Sequence, residues 1–138
     1  MKWFSFSVFV LMVSIIIAGF TNDKPIEKVD LERNKTVIKK FLQAYIDVDL
    51  NTIDKLTDRS YKQYYFDEFQ ENYDGLISTL KQKGKAGECP FHDIIAEGDQ
   101  VLIRYTANYP PAEFKGVDLF TVRNGKVIEG RFFYKQSN

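Results

Sequence analysis

Cysteine, histidine and tryptophan each occur once in this 138-residue chain, and proline only four times. A single thiol, Cys89, excludes an internal disulfide and a thiol-rich metal cluster. A single imidazole, His92, leaves no histidine-rich ligand set. The sequence also lacks a phosphate loop, a dinucleotide fingerprint and a Ser-His-Asp order. No metal and no cofactor are therefore expected. Net charge is absent as well, with 19 Lys and Arg against 19 Asp and Glu. That balance gives no electrostatic pull on nucleic acid or on an acidic membrane surface. Aromatics, by contrast, are plentiful, at 12 Phe and 8 Tyr. They fill core volume, and tyrosine also brings a polar tip to the wall of a pocket.

The first twenty residues differ from the rest. Lys2 gives a positive start, residues 4–17 are apolar apart from Ser5, Ser7 and Ser14, and the small Ala18 and Gly19 follow. This order is that of a secretory signal peptide. The apolar run is at the short limit of a membrane span, so an uncleaved anchor is the alternative. Ile17-Ala18-Gly19 resembles the start of a lipoprotein cleavage box, but Phe20 stands where a lipid-bearing cysteine would be. The expected organisation is a signal peptide or anchor at 1–20, a charged linker at 21–29 and one domain at 30–138. The expected location is secreted or periplasmic, or else membrane-anchored facing outside, with membrane contact only through the N-terminal segment.

From about Asp30 the apolar period is helical, with Val37, Phe41, Tyr45 and Val48 on one stripe and Ile38, Leu42 and Ile46 beside it. Asn51 is the expected cap of a short second helix, and Asn72 or Asp74 that of a third, whose inner face is Leu76, Ile77 and Leu80. Residues 61–69, rich in Tyr and Phe without helical period, read as an extended wall. Lys81, Lys83 and Lys85 read as a solvated helix end. After Gly87 the period becomes two, and residues 91–96, 101–109, 114–123 and 126–134 read as strands. Asn124-Gly125 is a two-residue hairpin turn, Gly98-Asp99 a second, and Pro110-Pro111 a break or edge.

Turns set register, and register sets faces. An unbroken ladder from Asn124-Gly125 opposes Arg123 to Lys126, Phe120 to Glu129 and Asp118 to Arg131. Asp118 is then expected on the outer face in an ion pair. Val117, Leu119, Thr121, Ile128, Gly130, Phe132 and Tyr134 fall on the inner face. From Gly98-Asp99, Asp93 opposes Arg104 and His92 opposes Tyr105, which places His92 inside.

The runs Ala96-Glu97-Gly98-Asp99-Gln100-Val101, Gly116-Val117-Asp118-Leu119-Phe120 and Asn124-Gly125-Lys126-Val127-Ile128-Glu129 resemble the C-terminal half of SnoaL-like proteins, of the nuclear transport factor two-like superfamily. The resemblance implies an α+β cone, with about three N-terminal helices packed in the concave face of a curled, mainly antiparallel sheet of four to six strands. Enzymes of that family use a His and an Asp in the cone for proton-transfer or aldol chemistry. Here Tyr64 occupies the place of a family histidine. Gly130-Arg131-Phe132 stands where members commonly continue His-Trp-Asp.

Three functions follow as expectations. The first is binding of a small, mostly apolar ligand in the cone, against Phe41, Tyr45, Ile94, Ile103, Leu119, Ile128, Phe132 and Tyr134, with His92, Tyr64 and Tyr105 as polar handles. The second is an isomerase, aldol/cyclase or dehydratase type enzyme in which His92, the only candidate base, moves the proton. The third is a non-catalytic assembly domain, a homodimer through the sheet face.

Overall fold

The computed structural model describes residues 28–84, 89–109 and 111–137. The expected signal segment and nearly all of the linker lie outside them, as does Lys85. The described chain forms helices α1 (Lys28–Asp47), α2 (Leu50–Leu56) and α3 (Tyr73–Gln82). Its strands are β1 (Thr57–Tyr65), β2 (Glu68–Asn72), β3 (Phe91–Glu97), β4 (Gln100–Tyr109), β5 (Ala112–Arg123) and β6 (Lys126–Ser137). The six strands make one sheet in the order β2-β1-β6-β5-β4-β3, antiparallel except for the parallel pair β1–β6. The α+β cone expected from the sequence is the observed architecture. The extended wall is a pair of strands, the hairpin β1–β2.

Local chemistry explains the helix ends. Asp49, rather than Asn51, caps α2, its carboxylate accepting from the Thr52 amide at 3.2 Å; Asn51 falls inside the first turn. Asn72 caps α3 by accepting from the Gly75 amide at 3.0 Å. The α1 stripe meets the sheet as its period requires. Ile38 and Phe41 are wholly buried, and the Phe41 ring packs edge-on against Phe120 of β5 with centroids 5.8 Å apart. Phe120 in turn meets Phe132 of β6 edge-on at 5.6 Å. Asn34, within a glycosylation-type triplet, is buried and donates to the Gly98 carbonyl at 3.2 Å, tying α1 to the β3–β4 turn.

Two bulges set the faces of the sheet. The β5–β6 ladder begins as expected, with Arg123 opposite Lys126 and Val122 opposite Val127. It then shifts, so that Thr121 opposes Glu129, Phe120 opposes Gly130 and Asp118 opposes Phe132. Ile128 is the extra residue, and beyond it one strand is turned over relative to an unbroken ladder. Asp118 is therefore inside and 2% exposed, not on the outer face with Arg131. Leu119, expected inside, faces out opposite Leu102 and Arg131. Arg131 bonds Glu129 and Asp67 at 2.8 and 2.5 Å instead.

The second bulge lies in β3–β4. Asp93 opposes Arg104 as expected and forms a 2.6 Å ion pair, but Phe91 opposes Tyr105. His92 is thereby displaced to the exposed face, where its Nε2 lies 2.9 Å from the Thr106 hydroxyl.

Gly130 is a tight point of the core. A Cβ there would stand 2.8 Å from the Tyr61 hydroxyl and 2.9 Å from a Phe132 ring carbon. Gly130→Ala is expected to destabilise the fold by about 1–3 kcal/mol through overpacking. Gly84→Ala, where a Cβ meets nothing within 4 Å, is expected to change stability far less. Thermal denaturation of the two variants checks this.

Candidate functional site

The helices close one side of the curled sheet and leave a cavity of about 470 Å³. Its apolar wall includes Leu42 and Ile46 of α1, Phe91 of β3, Ala107 of β4, Phe114 of β5 and Phe132 of β6. The polar groups on the wall are Tyr45, Lys83, Cys89, Tyr105, Asp118 and Tyr134. Volume and lining are those of a small-molecule pocket: apolar, with a few convergent polar atoms. Among the described residues no group of three or more His, Cys, Asp and Glu could hold a metal ion.

Of the residues singled out from the sequence, Tyr45, Tyr105, Phe132 and Tyr134 come together on this wall. Tyr64 and His92 do not. Tyr64 packs edge-on against Phe69 and lies under the Arg131 guanidinium. Ile103 is wholly buried in the core cluster. Lys83, read as part of a solvated helix end, lines the cavity with its ammonium 3.8 Å over the Tyr45 ring. Cys89 is half-buried on the same wall, and its surroundings push the thiol up to about 11, mainly by burial.

The group that sequence reasoning placed elsewhere is Asp118. Its Oδ1 accepts two long hydrogen bonds, from the Tyr105 hydroxyl and from the Phe133 amide, each at 3.4 Å. No described residue bonds Oδ2. Burial raises the carboxyl's pKa to about 8, and the two bonds oppose this too weakly to reverse it. At neutral pH Asp118 is therefore mainly a carboxylic acid, with Oδ1 as acceptor and Oδ2–H available as a donor.

Gly116 makes room for this arrangement. A Cβ there would stand 2.7 Å from the Tyr105 hydroxyl and 2.8 Å from Tyr134 Cβ. Only a residue without a side chain lets the Tyr105 phenol cross the strand and reach Asp118. The available sequence signal was the Gly116-Val117-Asp118 spacing, which keeps glycine and acid on one face of a strand. The unbroken-ladder register assigned that face to the outside.

Asp118 makes stability depend on pH with a definite sign. Its folded-state value, about 8, lies above the ordinary 3.8, so between them the folded chain holds a proton that the unfolded chain has released. Its contribution to stability is present below about pH 4 and is lost progressively up to about pH 8. Asp118→Asn keeps the shape and removes the titration. The variant is expected to gain stability relative to the parent as pH rises from 5 to 8, by about 2 kcal/mol or more. Urea unfolding at the two pH values measures it, and a pH-independent difference would refute the assignment.

Comparison with known proteins agrees with this geometry. The family model of the SnoaL-like domain matches residues 38–130. No curated protein matches the chain in sequence. An NTF-2 like protein of unknown function from Burkholderia xenovorans is similar in structure, with a TM-score of 0.67 and 19% identity over 78% of this chain and 86% of that one. An LEH-like epoxide hydrolase of M. tuberculosis is similar at a TM-score of 0.68 and 20% identity, over 77% and 85% of the two chains. A candidate ketosteroid isomerase from Kribbella flavida is similar at a TM-score of 0.70 and 12% identity, over 79% and 82%. At these identities the likenesses speak for the fold alone. With three helices on a curled six-stranded sheet, and with the family model matching two thirds of its length, the chain belongs to the SnoaL-like domain family.

Proposed function

We propose that the protein binds a small, mostly apolar molecule in the cone, with an acceptor oxygen of the ligand on the Asp118 carboxylic acid. The observation that carries this reading is a buried, mainly protonated carboxyl on the wall of an apolar cavity, whose Oδ2 no described residue bonds. A carboxylic acid donor on an apolar wall is costly to leave without a partner, and a ligand carbonyl or ether oxygen would satisfy it. Export by the N-terminal segment belongs to the same reading, supported by the order of charge, apolar run and small residues in the sequence.

Native mass spectrometry of protein recovered from its exported compartment, compared with the denatured mass, tests the binding reading. A retained small molecule is the expected result, and Tyr105→Phe is expected to lower its affinity about fivefold by removing a bond to Asp118. Retention unaltered by both Tyr105→Phe and Asp118→Asn would exclude this end of the cavity.

A second reading, proton-transfer catalysis, is favoured by the same carboxyl. A general acid or base works best with a pKa near the operating pH, and burial moves Asp118 there. His92, the base expected from the sequence, is exposed and bonded to Thr106 away from the cavity. Structural relatives include an epoxide hydrolase and a candidate ketosteroid isomerase, so epoxides and isomerisable ketones are the substrates to screen. Under this reading Asp118→Asn lowers turnover about a hundredfold or more, whereas His92→Ala leaves it within about twofold. The opposite pattern would return the chemistry to His92.

A further inference from the structure

While Asp118 keeps its proton, its end of the cavity has a fixed hydrogen-bonding sense. Oδ1 already accepts from the Tyr105 hydroxyl and the Phe133 amide, so both of its lone pairs are engaged. The one proton of the Tyr105 hydroxyl is committed to the same contact. What the carboxyl offers a ligand is then a single donor on Oδ2, which no described residue bonds. A ketone, ester or lactone oxygen accepts from it and brings no donor of its own. An alcohol oxygen accepts too, but its hydroxyl proton meets an Oδ1 that is already taken. A hydrogen bond left unmade in an apolar enclosure lowers affinity.

Loss of the proton reverses that sense. Oδ2 becomes a charged acceptor, which repels a carbonyl oxygen and takes a charge-assisted bond from a hydroxyl. Enclosure makes the reversal strong, because Asp118 is 2% exposed and little water screens its charge. The residue sits in mid-ladder, opposite Ile103 of β4 and Phe132 of β6, so the backbone holds it in place in either state. Resting on the binding reading above, we propose that the cavity takes a donor-free carbonyl compound while Asp118 is an acid and prefers an alcohol once it is a carboxylate, so that proton loss releases the carbonyl ligand. Tyr45 of α1, Lys83 after α3, Cys89 ahead of β3, Tyr105 of β4 and Tyr134 of β6 share the wall with Asp118, and its charge also reaches the buried Tyr61 of β1. Burial raises Asp118 to about 8 and Cys89 to about 11, and pushes Tyr61, Tyr105 and Tyr134 up as well. The thiol and these three phenols therefore stay protonated while Asp118 titrates. Lys83, drawn down to about 8 by burial, titrates in the same range, and substitution of Asp118 alone separates the two.

Calorimetric titration of the full chain with 2-decanone and 2-decanol, at pH 6 and at pH 9.5, tests the proposal. The two compounds share a carbon skeleton and differ in whether the oxygen carries a proton. At pH 6 the ketone is expected to bind about fivefold more tightly than the alcohol, and at pH 9.5 the order is expected to reverse by about as much. Asp118→Asn puts an N–H donor in the same place at every pH. That variant is expected to bind the ketone more weakly than the parent at pH 6, yet to keep one ketone-to-alcohol ratio at both pH values. Because each ratio is measured within one variant at one pH, a general loss of stability does not imitate the effect. A ratio that stays the same in the parent, or a reversal that persists in Asp118→Asn, would overturn the proposal while binding in the cavity stands. Binding of neither compound at either pH would remove both.

Discussion

An extra residue in one strand of an antiparallel pair exchanges the faces of everything beyond it. In this protein the residue is Ile128, between the Val122–Val127 pair and the Thr121–Glu129 pair. Everything distinctive about the cavity depends on that shift. It brings Gly116, Asp118 and Phe120 of β5 onto the same concave side as Gly130 and Phe132 of β6, which an unbroken ladder would put on the opposite face, and leaves Leu119 and Arg131 together on the convex one. Phe120 then meets Phe41 of α1, which seats the long helix in the cone, and Asp118 is enclosed by the same movement.

Enclosure changes the chemistry of the carboxyl. In an exposed cross-strand pair with arginine, a carboxylate would be ionised throughout the physiological range and would contribute little to stability. Inside the cone it has lost water and, among the described residues, gained two long hydrogen bonds, so its neutral form is favoured. The space for its tyrosine partner comes from a missing side chain, at Gly116. The polar end of the cavity is thus made by two residues of one strand and the phenol of its neighbour, held by a rigid ladder rather than a loop.

The convex face looks quite different. Asp93–Arg104, Arg123–Asp99 and the Arg131 pairs with Glu129 and Asp67 all lie at least partly open to water. Exposed pairs of this kind tune register and solubility more than they stabilise. Charge is therefore divided by layer, with ion pairs outside and, on the cavity wall, a carboxyl that burial keeps mainly neutral.

The sequence by itself determined the cone and most of its elements. Periods of 3.6 and two residues, the Asn124-Gly125 turn and the Phe41 stripe are local features, so they are legible without a partner segment. The tyrosines at 45, 105 and 134 were likewise placed on the cavity wall by alternation and stripe. The faces beyond the two bulges were decided only by the tertiary structure. Whether Ile128 or the residue pair at Phe91 and His92 keeps step with its neighbour depends on the strands that pack around it, and no turn residue marks either place. Asp118 and His92 exchanged sides for that reason. The second helix cap, at Asp49 instead of Asn51, moved by two residues within a run where either side chain could accept the bond. The position of Lys83 also needed three dimensions: only the approach of α1 to the end of α3 puts the Tyr45 ring beneath an amine that the sequence shows as one of three spaced lysines.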